Sequence, residues 1–344
     1  MAFLFYSSIF RLIRQYRHTV LVALALSAYT TPLAAQEIVP SGAWVSWASA
    51  NQRTYSGATT WQSQPMTLAQ WVLQNTAAAG LSGDITQSVQ DVALGVRYGW
   101  SDDLNLELVV STRTVDQSST LSGAVSPTET AWQNALQTAT YQGLGEWKLG
   151  AAHRLSFDDN SAFFYSVGIV GPGSGPQTEW IGHLTPTLGF AGGGVYGTLN
   201  WEWYPRTMNA RWALTIDFKD PLEHPITLPG GTTASLNPGT RLSGRFEWHH
   251  ELSFMAYGVS AERHDWGENM VDGTENGDFT LMGVAQVYAE WGNMAGLEQA
   301  HADPLGETKA PGLPWRLQVS AAQVLGGLDI PHWQAFNTRL WLYF

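Results

Sequence analysis

The chain has 344 residues, with 35 Gly, 17 Trp, no Cys, 13% charged side chains and a formal net charge of −12. The absence of cysteine excludes a disulfide framework, a thiolate metal centre and an acylated lipoprotein, and the acidic balance argues against nucleic acid or an anionic membrane surface as partner. Past residue 35, no apolar run approaches the roughly 20 residues that a membrane-spanning helix needs.

At the amino-terminus Arg11, Arg14 and Arg17 precede the apolar run Thr19–Ala28, and Leu33-Ala34-Ala35 forms a small-residue cleavage site before Gln36. That order predicts a secretory signal peptide over 1–35 and a mature chain of 36–344; the run is too short to cross about 30 Å of hydrocarbon. Removing those three arginines leaves 14 of the 17 basic side chains against all 29 acidic ones, a net of −15.

The mature chain alternates with a period of two. Val92, Leu94, Val96, Tyr98 and Trp100 share one face, opposed by Asp91, Ala93, Gly95, Arg97 and Gly99. After Ser101-Asp102-Asp103 the pattern resumes, with Leu104, Leu106, Leu108 and Val110 opposed by Asn105, Glu107, Ser111 and Arg113. Such a hairpin has one oily and one polar face. Twelve strands are predicted, at 43–53, 88–100, 104–113, 143–157, 161–170, 189–204, 210–219, 240–249, 252–263, 279–291, 314–324 and 335–344. Connections at 101–103, 158–160, 205–209 and 250–251 are short. Those at 54–87, 114–142, 171–188, 220–239 and 264–278 are long. Short periplasmic turns facing long outer loops define an antiparallel up-and-down transmembrane β-barrel, an all-β fold set in the cell outer membrane. Segment 292–313 is long where a short turn is expected, which makes it a floppy periplasmic connector.

The carboxy-terminus fits that fold. Leu340, Leu342 and Phe344 alternate with Arg339, Trp341 and Tyr343, so the last strand is amphipathic to its final residue. Closure against the first strand is expected, with Phe344 at the lipid–water boundary and its strand presented to the barrel-assembly machinery. Trp100, Phe157, Trp212, Trp248, Trp291 and Trp315 fall beside the proposed periplasmic turns, where amphipathic rings anchor at the interface. Expected partners are therefore outer-membrane lipid, lipopolysaccharide and a small-molecule solute.

The lumen-facing parity carries both signs of charge: Arg97, Lys148, Arg154, Arg211, Arg241, Arg245, Arg316 and Arg339 against Glu107, Glu146, Glu202, Asp217, Glu247, Glu262 and Glu290. Such a set either braces the wall through ion pairs or forms a polar constriction that selects solutes. Arg245 and Glu247, two apart on one strand, favour bracing. Loop segments 67–79 and 129–137 have the apolar residues of short helices, which would cap the rim or gate the mouth as a hydrophobic capture site.

Several motifs carry no chemistry. Gly192, Gly194 and Gly197 spell GxGxxG but run into a strand, so no dinucleotide fold follows. The acidic loop with Asp272, Glu275 and Asp278 reads as solvated in preference to a calcium site. His249-His250-Glu251 has no third ligand at metal spacing. No cofactor or metal is expected. The His–Ser constellation of outer-membrane phospholipase has no match, and no nucleophile–base pair is implied, so an enzyme is not expected.

Two segments carry a resemblance. Val92–Leu108 (VALGVRYGWSDDLNLEL) and Gly143–Leu155 (GLGEWKLGAAHRL) resemble the hairpin and following strand of the outer-membrane barrel family named for the meta-pathway of phenol degradation, a transporter-like group. The resemblance spans residues 88–175 and departs at Gly171-Pro172-Gly173, where that family often has Pro-Thr-Gly. It implies passage of hydrophobic or aromatic compounds and supplies no catalytic residues. The expected function is passive diffusion of small molecules through a charged lumen. The alternative is a structural or adhesive barrel with a closed lumen and partner-binding loops.

Overall fold

A computed structural model describes residues 39–59, 64–74, 80–157, 160–173, 193–205, 210–227, 231–252, 255–276, 280–293, 315–328 and 330–344. The expected signal segment, most of the 292–313 connector and most of the 171–188 loop lie outside them, as does the side chain of Phe157. In chain order the elements are β1 (Trp44–Thr59), β2 (Pro65–Met66), α1 (Leu68–Gln74), β3 (Ile85–Gly99), β4 (Leu104–Ser119), α2 (Pro127–Ala135), β5 (Ala139–Leu144), β6 (Trp147–Phe157) and β7 (Ser161–Gly171). They continue with β8 (Gly194–Trp203), β9 (Ala210–Pro221), β10 (His224–Thr227), β11 (Thr233–Asn237), β12 (Arg241–Glu251), β13 (Ala256–Trp266), β14 (Asn269–Val271), β15 (Thr274–Asn276), β16 (Thr280–Asn293), β17 (Trp315–Leu328) and β18 (Ile330–Tyr343).

The wall is a closed antiparallel barrel of twelve strands, ordered β1, β3, β4, β5/β6, β7, β8, β9, β12, β13, β16, β17, β18 and back to β1. Closure is made by the carboxy-terminal strand. Val45 pairs with Tyr343 and the register runs to Thr59 opposite Ile330. Trp44 and Phe344 exchange both backbone hydrogen bonds, at 3.0 and 2.8 Å. The first and last strands of the wall are thereby paired to each other, so neither presents an open edge of N–H and C=O groups to hydrocarbon.

Alternation sets the two faces. Val92, Leu94, Leu106, Leu108, Leu149, Ile169, Leu214, Phe246, Val259 and Val287 are exposed on the outside, while Glu107, Ala152, Asn200, Thr215 and Glu247 are buried inside. On β3 the oily band runs from Val92 to Trp100, roughly 27 Å along the strand at ~3.4 Å per residue. Beyond it the outward residues turn polar: Gln90, Thr112, Asp116 and Ser118. Trp100, Trp203, Trp291, Trp315 and Phe344 are exposed beside the short-turn end.

The strands outrun their expected limits at the long-loop end. β1, β3 and β4 reach Thr59, Ile85 and Ser119, because above the lipid the outer face no longer has to be apolar and the alternation that marks a strand fades. β13 lies over Ala256–Trp266, shifted from the expected 252–263. The expected strand 143–157 is interrupted at Gly145-Glu146: β5 pairs with the upper part of β4 and β6 with the lower part. Gly145 donates its N–H to the Ser111 carbonyl, and the Ser111 hydroxyl donates to the Glu146 carbonyl, so the backbone stays satisfied across the break.

Two of the expected loops carry a sheet. Segments 220–239 and 264–278 contribute β10, β11, β14 and β15, a separate four-stranded antiparallel sheet. Asp272 sits at φ 49° in the β14–β15 turn, and its carboxylate accepts from the Ser235 N–H at 2.7 Å, which ties that turn to β11. Ile226, Ala234 and Leu236 of this sheet join Leu68, Trp71 and Val72 of α1, Trp132 of α2, and Tyr55, Val89 and Val115 of the wall in one buried apolar cluster. A hydrophobic plug thus occupies the long-loop mouth.

Local chemistry holds α2 in the plug. Ser126 caps the helix and its hydroxyl accepts from the Glu129 N–H, Glu129 reaches back to the Ser126 N–H, and Pro127 occupies the first turn. That reciprocal box satisfies amides that the helix itself cannot. The Val125 N–H, the Ser126 hydroxyl and further backbone amides hold the Glu129 carboxyl below its ordinary range. Its contribution is therefore complete above that range and fades as pH falls through the lowered value. Replacing Ser126 by Ala should weaken the helix by about 1 kcal/mol. Amide exchange in 127–135 should quicken while the wall strands stay protected; equal exchange in both proteins would contradict this account of the plug.

Candidate functional site

Because side chains alternate, every second residue of a strand adds one rung to the lumen. On β1 the inward series is Val45, Trp47, Ser49, Asn51, Arg53 and Tyr55. The first three line one cavity of about 420 Å³ and the last three line another of about 450 Å³. β18 repeats the division, with Tyr343, Trp341 and Arg339 on the first and Asn337, Ala335 and Trp333 on the second. The cavities are therefore stacked along the barrel, the smaller at the short-turn end and the larger beneath the plug. Arg113, Glu146 and Gln286 border both and mark the waist between them.

Glu146 reaches that waist because of the break between β5 and β6. Lys219 of β9 meets both of its carboxylate oxygens at 2.7 Å. Asp91 of the neighbouring β3 sits between Arg53 and Arg113, each within hydrogen-bond distance. Two ion-pair groups thus border the waist, and Lys148 lies 5.7 Å over the Tyr196 ring nearby. Tyr196 itself lies flat on small residues; a Cβ at Gly150 or Gly168 would come within 2.0 or 2.5 Å of its hydroxyl.

A second network fills one side of the lumen near the short turns. Arg211 binds Glu247 at 2.9 Å and Glu202 at 3.4 Å. Tyr288 donates to Glu247 at 3.0 Å and meets His249 Nδ1 at 2.8 Å, Asn200 donates to Glu202 at 3.1 Å, and Tyr204 donates to Glu202. All of these side chains are mostly withdrawn from solvent, and each carboxylate has a cation or hydroxyl partner, the condition under which buried charge is tolerated.

The remaining charged residues are dispersed. Arg97 and Glu107 face each other on β3 and β4 at 2.6 Å. Arg154 leaves the lumen proper for the short-turn rim, where it holds Asp103 of the adjacent hairpin at 2.7 Å. Asp217 accepts from Thr198 at 2.6 Å, and Arg241 lines the upper cavity. Arg316 lies 3.5 Å from Glu290. The expected pairing of Arg245 with Glu247 is loose, at 4.0 Å, because Glu247 is already engaged by Arg211; Arg245 is nearer Glu262, at 3.6 Å. Arg339 makes no ion pair among the described residues and lies between two indoles, 5.2 Å from Trp47 and 5.4 Å from Trp341. No cluster of three or more His, Asp or Glu able to hold a metal occurs among the described residues.

Sequence reasoning missed the neutral members of this lining. Trp47, Tyr196 and Tyr288 stand on the inward parity, but only charged residues were named as lining the lumen; Trp341 shares the face of Arg339, where the carboxy-terminal alternation placed it. The available signal was their phase: Trp44 and Trp47 differ by three positions and must point to opposite faces.

No family model matches the chain and no curated protein matches it. Solved structures do. The COG4313 outer membrane channel from Pseudomonas putida F1 aligns with a TM-score of 0.62 and 14% identity over 91% of this chain and 100% of that one. More distant are a mutant of the TodX monoaromatic hydrocarbon channel, at TM-score 0.41 and 11% identity over 88% and 90%, and the transport unit of the Escherichia coli autotransporter AIDA-I, at 0.41 and 7% over 95% and 97%. The chain is similar to the first of these in fold, a closed β-barrel.

Proposed function

We propose that this protein is an outer-membrane channel that passes small molecules, hydrophobic or aromatic compounds among them, by diffusion through its charged lumen. The observation that carries this reading is the pair of stacked cavities, about 420 and 450 Å³, inside one closed wall. Barrels whose side chains fill the interior leave no such volume. Support also comes from the lining: Trp47, Trp341, Tyr343 and Val109 in the lower cavity and Tyr55, Val89, Trp266 and Trp333 in the upper one offer apolar surface next to charge. The resemblance within 88–175 and the fold shared with a Pseudomonas putida channel point the same way. In this reading the short turns face the periplasm, the plug faces outward, and Phe344 lies at the inner-leaflet boundary, where its strand meets the assembly machinery.

The plug and the waist are the two resistances in series. Glu146 and Lys219 gate the waist, and the network of Arg211, Glu202 and Glu247 braces the wall. Purified protein in liposomes should pass small solutes, and replacing α2 by a flexible linker of equal length should raise the rate. No solute flux from either protein would make this a closed-lumen barrel.

The two charge groups should separate on mutation. Glu146→Gln with Lys219→Met removes both partners, so it should change conductance while the gel mobility transition on heating stays in place. Arg211→Met leaves Glu202 without its cation and Glu247 with only the loose cation contact to Arg245, at a cost of about 1.5–3 kcal/mol for each lost charged hydrogen bond. It should lower that transition temperature markedly. A reversed pattern would assign bracing to the waist and overturn the division of roles.

A further inference from the structure

The lower cavity is cationic inside an acidic protein. Six cations line it against four carboxylates, Asp91, Glu107, Glu146 and Glu247, while the whole chain carries −12. Each of those carboxylates is already matched by a cation: Asp91 by Arg113 and Arg53, Glu107 by Arg97, Glu146 by Lys219 and Glu247 by Arg211. Arg245 and Arg316 lie near Glu262 and Glu290, so two cations have no ion pair among the described residues: Lys148, which stands over the Tyr196 ring, and Arg339. The Arg339 Nε is buried without a hydrogen-bond partner, and its guanidinium lies over the rings of Trp47 and Trp341, with Arg245, Glu107, Arg316 and Arg97 within electrostatic reach. An aromatic face attracts a cation but accepts none of its five planar N–H donors in the way that a carboxylate does.

Register explains why there is room beside it. Across the wall, Gln318 of β17, Arg339 of β18, Ser49 of β1, Ala93 of β3 and Ser111 of β4 form one lateral row. Three small side chains therefore follow the arginine and leave a recess. The row beneath holds Arg316, Trp341, Trp47 and Gly95. A Cβ at Gly95 would fall 2.1 Å from the Trp47 ring, so that glycine lets the indole lie against the wall and form the floor of the recess.

We propose that the lower cavity binds a small aromatic monocarboxylate. Its two oxygens accept from the Arg339 fork, and its ring lies in the Ser49–Ala93–Ser111 recess against Trp47. The bidentate match of guanidinium to carboxylate fixes orientation, and the indole favours a flat apolar body. This deepens the channel reading, and rests on it for the route by which solute reaches the cavity.

The test uses the full-length mature barrel in detergent with 4-fluorobenzoate, observed by fluorine NMR, and 4-fluorobenzyl alcohol as the uncharged control for micelle partition. Fluorobenzoate should broaden saturably on adding protein and the alcohol should not. Arg339→Gln should weaken binding roughly tenfold or more, the loss expected for a charged hydrogen-bond pair. Arg339→Lys, which keeps the charge without the planar fork, should fall between. Should Arg339→Gln fail to fold, Ala93→Leu fills the recess without touching the guanidinium and should abolish binding. Equal binding of acid and alcohol, or unchanged binding in a folded Arg339→Gln or Ala93→Leu barrel, overturns the site. Because binding is read separately from flux, solute passage without fluorobenzoate binding ends this proposal and spares the channel. Binding without passage ends the channel reading and spares the site.

Discussion

Backbone pairing in a medium without water is the constraint on which the rest of this molecule depends. A strand in hydrocarbon has no solvent to satisfy its N–H and C=O groups, and each one left bare costs several kcal/mol. The sheet must therefore close, and the last strand must find the first. Trp44 and Phe344 complete that ladder. Once the cylinder is closed, strict alternation separates lipid from lumen, and the interior becomes a place where charge is affordable because it is walled off from the acyl chains.

The interior answers a second constraint, since a charge inside a barrel must be solvated by its neighbours. Arg211 with Glu202 and Glu247, Arg97 with Glu107, and Arg53 and Arg113 with Asp91 are local solutions, built between neighbouring strands. Glu146 and Lys219 are different. They sit 73 residues and three wall strands apart, and they meet only because the wall breaks at Gly145-Glu146. A break in a barrel strand forfeits ladder bonds, which the Ser111 hydroxyl and carbonyl recover in part. The same irregularity that weakens the wall brings an acidic side chain to the waist between the two cavities.

The sequence disclosed what lipid enforces and little of what it does not. Val92, Leu94 and Leu108 had to be apolar and in phase, so the strand number, the faces and the closing strand could be read directly. Above the bilayer that demand lapses. Thr114, Asp116 and Ser118 look like loop residues although β4 continues through them, and the sheet of β10, β11, β14 and β15 is built of strands only three to five residues long, rich in Thr and Asn. The helix in 127–135 was legible because Ser126, Pro127 and Glu129 form a local capping signature. Its burial against Ile226 and Leu236 was not, since that packing joins segments about a hundred residues apart. Charge pairing was the least legible layer: a period of two shows which residues face inward and leaves open which partner each one finds across the lumen. Arg245 beside Glu247 in sequence is thus a poorer guide than Arg211, which stands opposite His249 on the neighbouring strand and reaches Glu247 diagonally.

The plug and the cationic recess make sense of one another through dielectric. A buried apolar cluster over the upper cavity restricts exchange of bulk water with the lumen, and in such confinement the attraction between Arg339 and an anion is less screened than at a surface. The indoles of Trp47 and Trp341 hold the empty guanidinium in place without neutralising it, as a carboxylate neighbour would do permanently. An arginine committed to a glutamate, as Arg97 is to Glu107, is fixed structure. In the proposed channel, an arginine cradled by rings would keep its fork free for a passing solute, and a site through which solute diffuses must also release it.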